Sequence, residues 1–133
     1  PSLIKTLTYS ELNELSNDLR KEIIDACSKN GGHLSSNLGT VELTVALFNA
    51  LDLPKDKVIF DVGHQSYAYK ILSGRKLDNL RKENGVDGFQ KRDESIYDTF
   101  ESGHSSTSIG ACMGLAYSRD LSSFFAACNT FSS

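Results

Sequence analysis

The sequence predicts an α/β fold, with parallel strands flanked by helices, on three observations. Apolar residues recur at helical spacing from Leu12 onward, and a short apolar run without polar alternation follows at Val58-Ile59-Phe60-Asp61-Val62. A run of small residues then opens directly after Gly103-His104-Ser105-Ser106. Apolar positions every three or four residues mark one buried face of a helix, whereas an unbroken short run suits an interior strand of a parallel sheet. At 133 residues the chain is at most one domain, yet long enough to bury a core.

Thr8-Tyr9-Ser10-Glu11 has the form of a capping box, in which hydroxyl and carboxylate each satisfy a free backbone donor. Leu12, Leu15, Leu19, Ile23 and Cys27 continue as one stripe, and Gly31 or Gly32 supplies the left-handed cap that ends this helix. Val41 to Leu51 leaves almost no polar face, which predicts a largely buried helix, and Pro54 blocks its continuation. After the strand, Tyr67 to Ser73 reads as a helix stopped at Gly74, and Leu77 to Glu83 as another ending near Gly85. Periodicity then disappears from Gly85 to Gly103, a long irregular stretch of the kind that more often carries function than not. Ser105 or Ser106 is the expected cap of a helix running to about Ser118, and Phe124 to Cys128 is a candidate further strand.

Composition narrows the function classes. With 39% hydrophobic and 23% charged residues the chain is ordinary for a water-soluble domain, and a net charge of −3 gives no reason to expect nucleic acid. No apolar run approaches a membrane span. Pro1-Ser2-Leu3-Ile4 lacks a basic region and a long apolar stretch, so no secretory signal is expected. Cys27, Cys112 and Cys128 lack metal-type spacing and read as thiols in a reducing compartment, which makes the cytoplasm the expected location.

All three histidines follow a glycine: Gly32-His33, Gly63-His64 and Gly103-His104. Glycine lets backbone approach a ligand closely, and imidazole exchanges protons near neutral pH. Asp61-Val62-Gly63-His64-Gln65 stands at the C-terminal end of the predicted strand, where open α/β sheets bind ligands. Gly103-His104-Ser105-Ser106 precedes a helix, where backbone donors and the helix dipole favour an anion. Taken singly, each is also what a solvated loop histidine or a plain serine cap looks like. Gly88-Phe89-Gln90-Lys91-Arg92-Asp93-Glu94-Ser95 reads first as a solvated charged loop. There is no phosphate-binding P-loop, GxGxxG or zinc pattern.

In this order, GGHLSSNLGTVELTVAL, KVIFDVGHQSYAYKILSGR, GFQKRDES and SGHSSTSIGACMGLAYSRDL closely resemble the N-terminal part of the 1-deoxy-D-xylulose-5-phosphate synthases, transketolase-like thiamine diphosphate enzymes. The resemblance runs from about Ser10 to Leu121. It implies the leading part of a thiamine-diphosphate-binding domain over residues 1–121, followed by an atypical tail over 122–133. The implied reaction condenses pyruvate with glyceraldehyde 3-phosphate and releases carbon dioxide, feeding isoprenoid, thiamine and pyridoxal synthesis. Thiamine diphosphate supplies the carbanion chemistry, and the protein supplies position and proton traffic. By the resemblance, His33 matches the active-site histidine beside the reacting carbons; His64, Gly103, His104 and Ser105 match cofactor contacts on the diphosphate side. Ser35, Ser36 and Lys91 are supporting candidates. A homodimer is also implied.

One departure stands out. The family's Gly-Asp-Gly motif, which holds the Mg2+ bridging protein and diphosphate, occurs nowhere in this sequence, and Arg119-Asp120-Leu121 leads instead into Ser122 and the tail. No metal ligand is therefore assigned, the later domains are absent, and the chain alone is expected to be inactive. A different transketolase-like transferase, or a catalytically silent fragment, are the alternatives.

Overall fold

The computed structural model describes residues 2–118 and the backbone of 124–127. After a 3-10 turn over Ser2–Thr6 come helix α1 (Tyr9–Asn30), the short α2 (Leu34–Leu38), α3 (Val41–Ala50), strand β1 (Lys57–Phe60), α4 (Tyr67–Leu72), α5 (Ser108–Ser118) and strand β2 (Phe124–Ala127). The chain is helix-rich. β1 and β2 pair in parallel from Lys57 opposite Phe124 to Phe60 opposite Ala127. One pair of four-residue strands is less than the helix-flanked parallel sheet that the sequence predicts.

The ends of α1 form as expected. Thr8 Oγ1 accepts from the Glu11 amide while Glu11 Oε2 takes the Thr8 N–H at 2.7 Å, and Gly31 closes the other end at φ 73°. Leu19, Ile23 and Ala26 of α1 pack on Val41 and Val45 of α3, Tyr67 and Ala68 of α4, and Leu77 and Leu80. A second cluster joins Leu47 and Phe48 to Val58 and Phe60 of β1, Tyr69 of α4 and Ile4. Helix α4 lies between the two: Tyr67, Ala68, Tyr69 and Lys70 are all buried. Its N-terminus, packed between both clusters, is where the turn after β1 and helix α2 converge.

Two expectations need correction, and one element was not foreseen. Leu77 to Glu83 is a series of turns: Leu80 N–H bonds Leu77 O, and the Arg81 amide goes to Val86 O at 2.7 Å. Arg81 and Asn84 both stand at φ 60°, which no right-handed helix allows. Burial of Leu77 and Leu80 in the first cluster holds this arrangement. Helix α3 is less enclosed than expected, since Leu43 is exposed and Glu42 pairs outward with Arg20. The loop between α1 and α3 contains α2, which the glycines around it concealed. Irregularity from Gly85 to Gly103 is as predicted. Apart from Phe124–Ala127, the 122–133 tail lies outside the described residues.

Candidate active site

Two of the three predicted histidines meet. The His33 and His64 ring centroids are 5.1 Å apart, edge to face, and the Phe89 ring lies 5.8 Å from His33. His33 follows Gly31 and Gly32, at φ 73° and 140°, and caps the N-terminal end of α2. His64 follows β1 through Val62 at φ 63° and Gly63 at φ 94°. A Cβ on Gly63 would stand 3.2 Å from the Gln90 amide nitrogen, so the turn is closed tightly on the irregular segment.

Asn37, fully buried, ties both histidines to α4. Its Nδ2 donates to His33 O at 2.6 Å and to His64 O at 2.8 Å, while Oδ1 accepts the Tyr67 N–H at 2.8 Å. Every hydrogen-bonding direction of the amide but one is thereby used. Behind His33 lies Tyr67, whose hydroxyl accepts the His33 N–H at 3.3 Å and stands 3.4 Å from Nδ1. Burial, then the nearby His64 and Arg81, hold the His33 pKa below that of an ordinary histidine, so the ring is neutral at pH 7. Among the described residues, His64 Nδ1 is buried and has no hydrogen-bond partner, an orphan that a bound polar group would satisfy.

The Gly103–Ser106 segment reaches the same strand end by another route. Asp61, buried at the C-terminal end of β1, accepts the amides of Ser106 at 2.9 Å and Ser108 at 3.3 Å. Those bonds, led by Ser106, hold its carboxyl below the usual range although burial opposes them. The cap of α5 is therefore Asp61 from across the fold, not Ser105 or Ser106, and Ser106 sits at φ 66° beneath it. Gly103, His104 and Ser105 are exposed. His104 is held through its backbone by Ser102 Oγ and Thr107 Oγ1, and its ring is not among those in contact within the described residues. His33 and His64 are brought together; His104 is tethered near the same strand end but does not touch them.

The Gly88–Ser95 stretch is not simply a solvated loop. Lys91, Arg92 and Asp93 face water, but Glu94 turns inward to Lys70 Nζ at 2.6 Å and Arg75 Nη1 at 2.7 Å. Asp98, also buried, takes Arg75 at 2.7 and 2.8 Å and the Lys91 amide at 2.9 Å. Lys70 and Asp98 have no exposed side-chain surface. This ion cluster pins the segment that carries Phe89 to His33. Asp61, Asn37, Tyr67 and Glu94 lie within the sequence motifs, yet their roles are not legible there; an acid ending an apolar strand is the one local signal. Among the described residues no group of three His, Cys, Asp or Glu stands close enough to hold a metal ion. No helix among them is long and apolar enough to cross a membrane.

A family model described as 1-deoxy-D-xylulose-5-phosphate synthase matches residues 1–127. Curated relatives bearing that same description include one from Clostridium acetobutylicum, 58% identical over 121 residues, covering 90% of this chain and 20% of the relative. Another, from Clostridium beijerinckii, is 56% identical over 123 residues, covering 91% of the chain and 20% of the relative. The relative from Geobacillus thermodenitrificans is 54% identical over 123 residues, with the same coverage, 91% and 20%. The chain thus spans about a fifth of the length of the curated relatives it matches.

Proposed function

The chain belongs to the 1-deoxy-D-xylulose-5-phosphate synthase family, and from that premise we propose that it forms one wall of a thiamine diphosphate site in a transferase condensing pyruvate with glyceraldehyde 3-phosphate. Residues 1–121 are the leading part of the cofactor-binding domain, and β1, paired in parallel with β2 from the residues that follow, starts its parallel, helix-flanked sheet; the family match through residue 127 supports including β2. The product serves isoprenoid, thiamine and pyridoxal synthesis, in the cytoplasm, by a homodimer.

The observation that carries this reading is the His33–His64 couple, 5.1 Å apart, with the buried His64 Nδ1 lacking a partner among the described residues. Those residues fit a polar cofactor at this place. When bound, thiamine diphosphate supplies the stabilised carbanion that joins the two substrates. His64 offers its ring nitrogen to the cofactor. Gly103, His104 and Ser105, anchored through Asp61, line the diphosphate side from an exposed loop. Neutral His33 donates from Nε2–H to the reacting groups, the role of a neutral imidazole electrophile. Phe89, held by the ion cluster, keeps water from one face of His33.

The test is turnover and cofactor binding in the complete synthase carrying this chain. His33→Gln lowers kcat about 10²–10⁴-fold, the usual worth of a general acid or base. His64→Ala weakens thiamine diphosphate binding by calorimetry with smaller loss of kcat. Unchanged kcat in the first variant and unchanged affinity in the second overturn the assignment. The 133-residue chain alone shows no turnover.

A further inference from the structure

We propose that Tyr67 is the positioning residue of His33: its buried hydroxyl donates to Nδ1 and holds the imidazole in the tautomer that carries its proton on Nε2. The proposal deepens the reading of His33 as the proton-handling group, and rests on it for its consequence in catalysis.

Donors and acceptors around the hydroxyl must balance. Tyr67 is wholly enclosed, and a buried phenol hydroxyl requires a partner for its single proton. That oxygen already accepts the His33 backbone N–H at 3.3 Å. The acceptor within reach of its own proton, among the described residues, is His33 Nδ1 at 3.4 Å. Nδ1 must then be unprotonated, which leaves the proton of the neutral ring on Nε2. One hydroxyl therefore addresses both the main chain and the ring of the same residue.

The surroundings are built to keep it there. Asn37 Oδ1 holds the Tyr67 N–H at 2.8 Å, fixing the root of the side chain at the first turn of α4. The same amide holds the carbonyls of His33 and His64, so hydroxyl and imidazole are referred to one anchor. Gly32 makes room for the contact: a Cβ there would stand 2.9 Å from the Tyr67 oxygen, at a backbone φ of 140° that side-chain-bearing residues avoid. Burial raises the phenol pKa, so the hydroxyl remains a donor at working pH. Removing it would leave Nδ1 to choose its protonation state against solvent.

The proposal is read by two-bond 1H–15N NMR of 15N-histidine-labelled protein near pH 7.5, without cofactor. In the parent, His33 shows Nδ1 unprotonated and Nε2 protonated; a His33 protonated on Nδ1 overturns the proposal whatever any variant does. In Tyr67→Phe, which keeps the buried ring, the ratio of the two tautomers falls about 2- to 10-fold, the worth of one net hydrogen bond. Tyr69→Phe, whose hydroxyl bonds Tyr97 O instead, leaves the His33 ratio unchanged. An unchanged ratio in Tyr67→Phe overturns the proposal. Because the measurement needs neither thiamine diphosphate nor substrate, an intact signature beside an inactive complete enzyme removes the functional reading and leaves this one standing.

Discussion

Replacing Asp98 by Asn tests whether the buried ion cluster holds the irregular segment in place. Asp98 has no exposed side-chain surface and accepts three hydrogen bonds, two from Arg75 and one from the Lys91 amide. Asparagine keeps the shape but removes the charge and turns one acceptor into a donor facing a guanidinium. Lys70 and Arg75 are then left sharing Glu94. Burial already holds the Lys70 ammonium below its ordinary pKa, despite the bond it donates to Glu94, so a weakened counter-charge is felt directly. Breaking a buried pair from one side costs about 3–5 kcal/mol, a large part of the roughly 5–15 kcal/mol that holds a domain folded. At about 4 °C per kcal/mol for a chain of this size, Tm falls by roughly 12–20 °C. Chemical denaturation of parent and variant is the assay, with Glu101→Gln as control, since its 3.9 Å pair with Arg92 is exposed and worth under about 1 kcal/mol. Adding Arg75→Met to Asp98→Asn restores part of the loss by removing the stranded cation. An Asp98→Asn cost no greater than that of Glu101→Gln refutes the reasoning.

Asn37→Ala removes a donor from each of the half-buried carbonyls of His33 and His64 and strands the buried Tyr67 amide, and costs about 2–4 kcal/mol by denaturant titration. Gly32→Ala, forced against the Tyr67 hydroxyl, destabilises by at least about 1 kcal/mol and shifts the Tyr67 ring signals in NMR. Acid weakens the fold through Asp61 and Glu94. Bonds from the Ser106 and Ser108 amides lower Asp61; burial pushes Glu94 up, but Lys70, the Asp87 amide and Arg75 bring it net below its ordinary value. Since both folded values lie below the unfolded ones, their stabilisation is complete above about pH 4.5 and is lost as pH falls through the folded values. Asp61→Asn flattens part of that slope in denaturation curves taken between about pH 5 and 2, and speeds hydrogen exchange at Ser106 and Ser108.

What the sequence disclosed and what it hid have physical causes. Local rules were legible: Thr8 with Glu11, Gly31 at the end of α1 and Gly74 after α4 each act within a few residues of their own position. The Leu77–Glu83 error arose because apolar spacing there reflects Leu77 and Leu80 entering the core, while the chain turns back through the Arg81–Val86 bond. Charges in Gly88–Ser95 look alike in one dimension; only the fold sends Glu94 to Lys70, 24 residues away, and leaves Asp93 in water. Asp61 as the cap of α5 is likewise a contact across 45 residues, invisible to capping rules that search the adjoining sequence. The glycine-histidine pattern singled out three residues, of which the fold brings His33 and His64 together. It could not say that His104 would stay at the surface, because that depends on how Ser102 and Thr107 fold the loop back on itself.

The most direct measurement is an imidazole-resolved titration of the complete 15N-histidine-labelled synthase with thiamine diphosphate and Mg2+. His33 and His64 signals, from rings 5.1 Å apart, shift together with one saturable midpoint. Calorimetric binding of the cofactor with both signals unmoved contradicts the placement of the site.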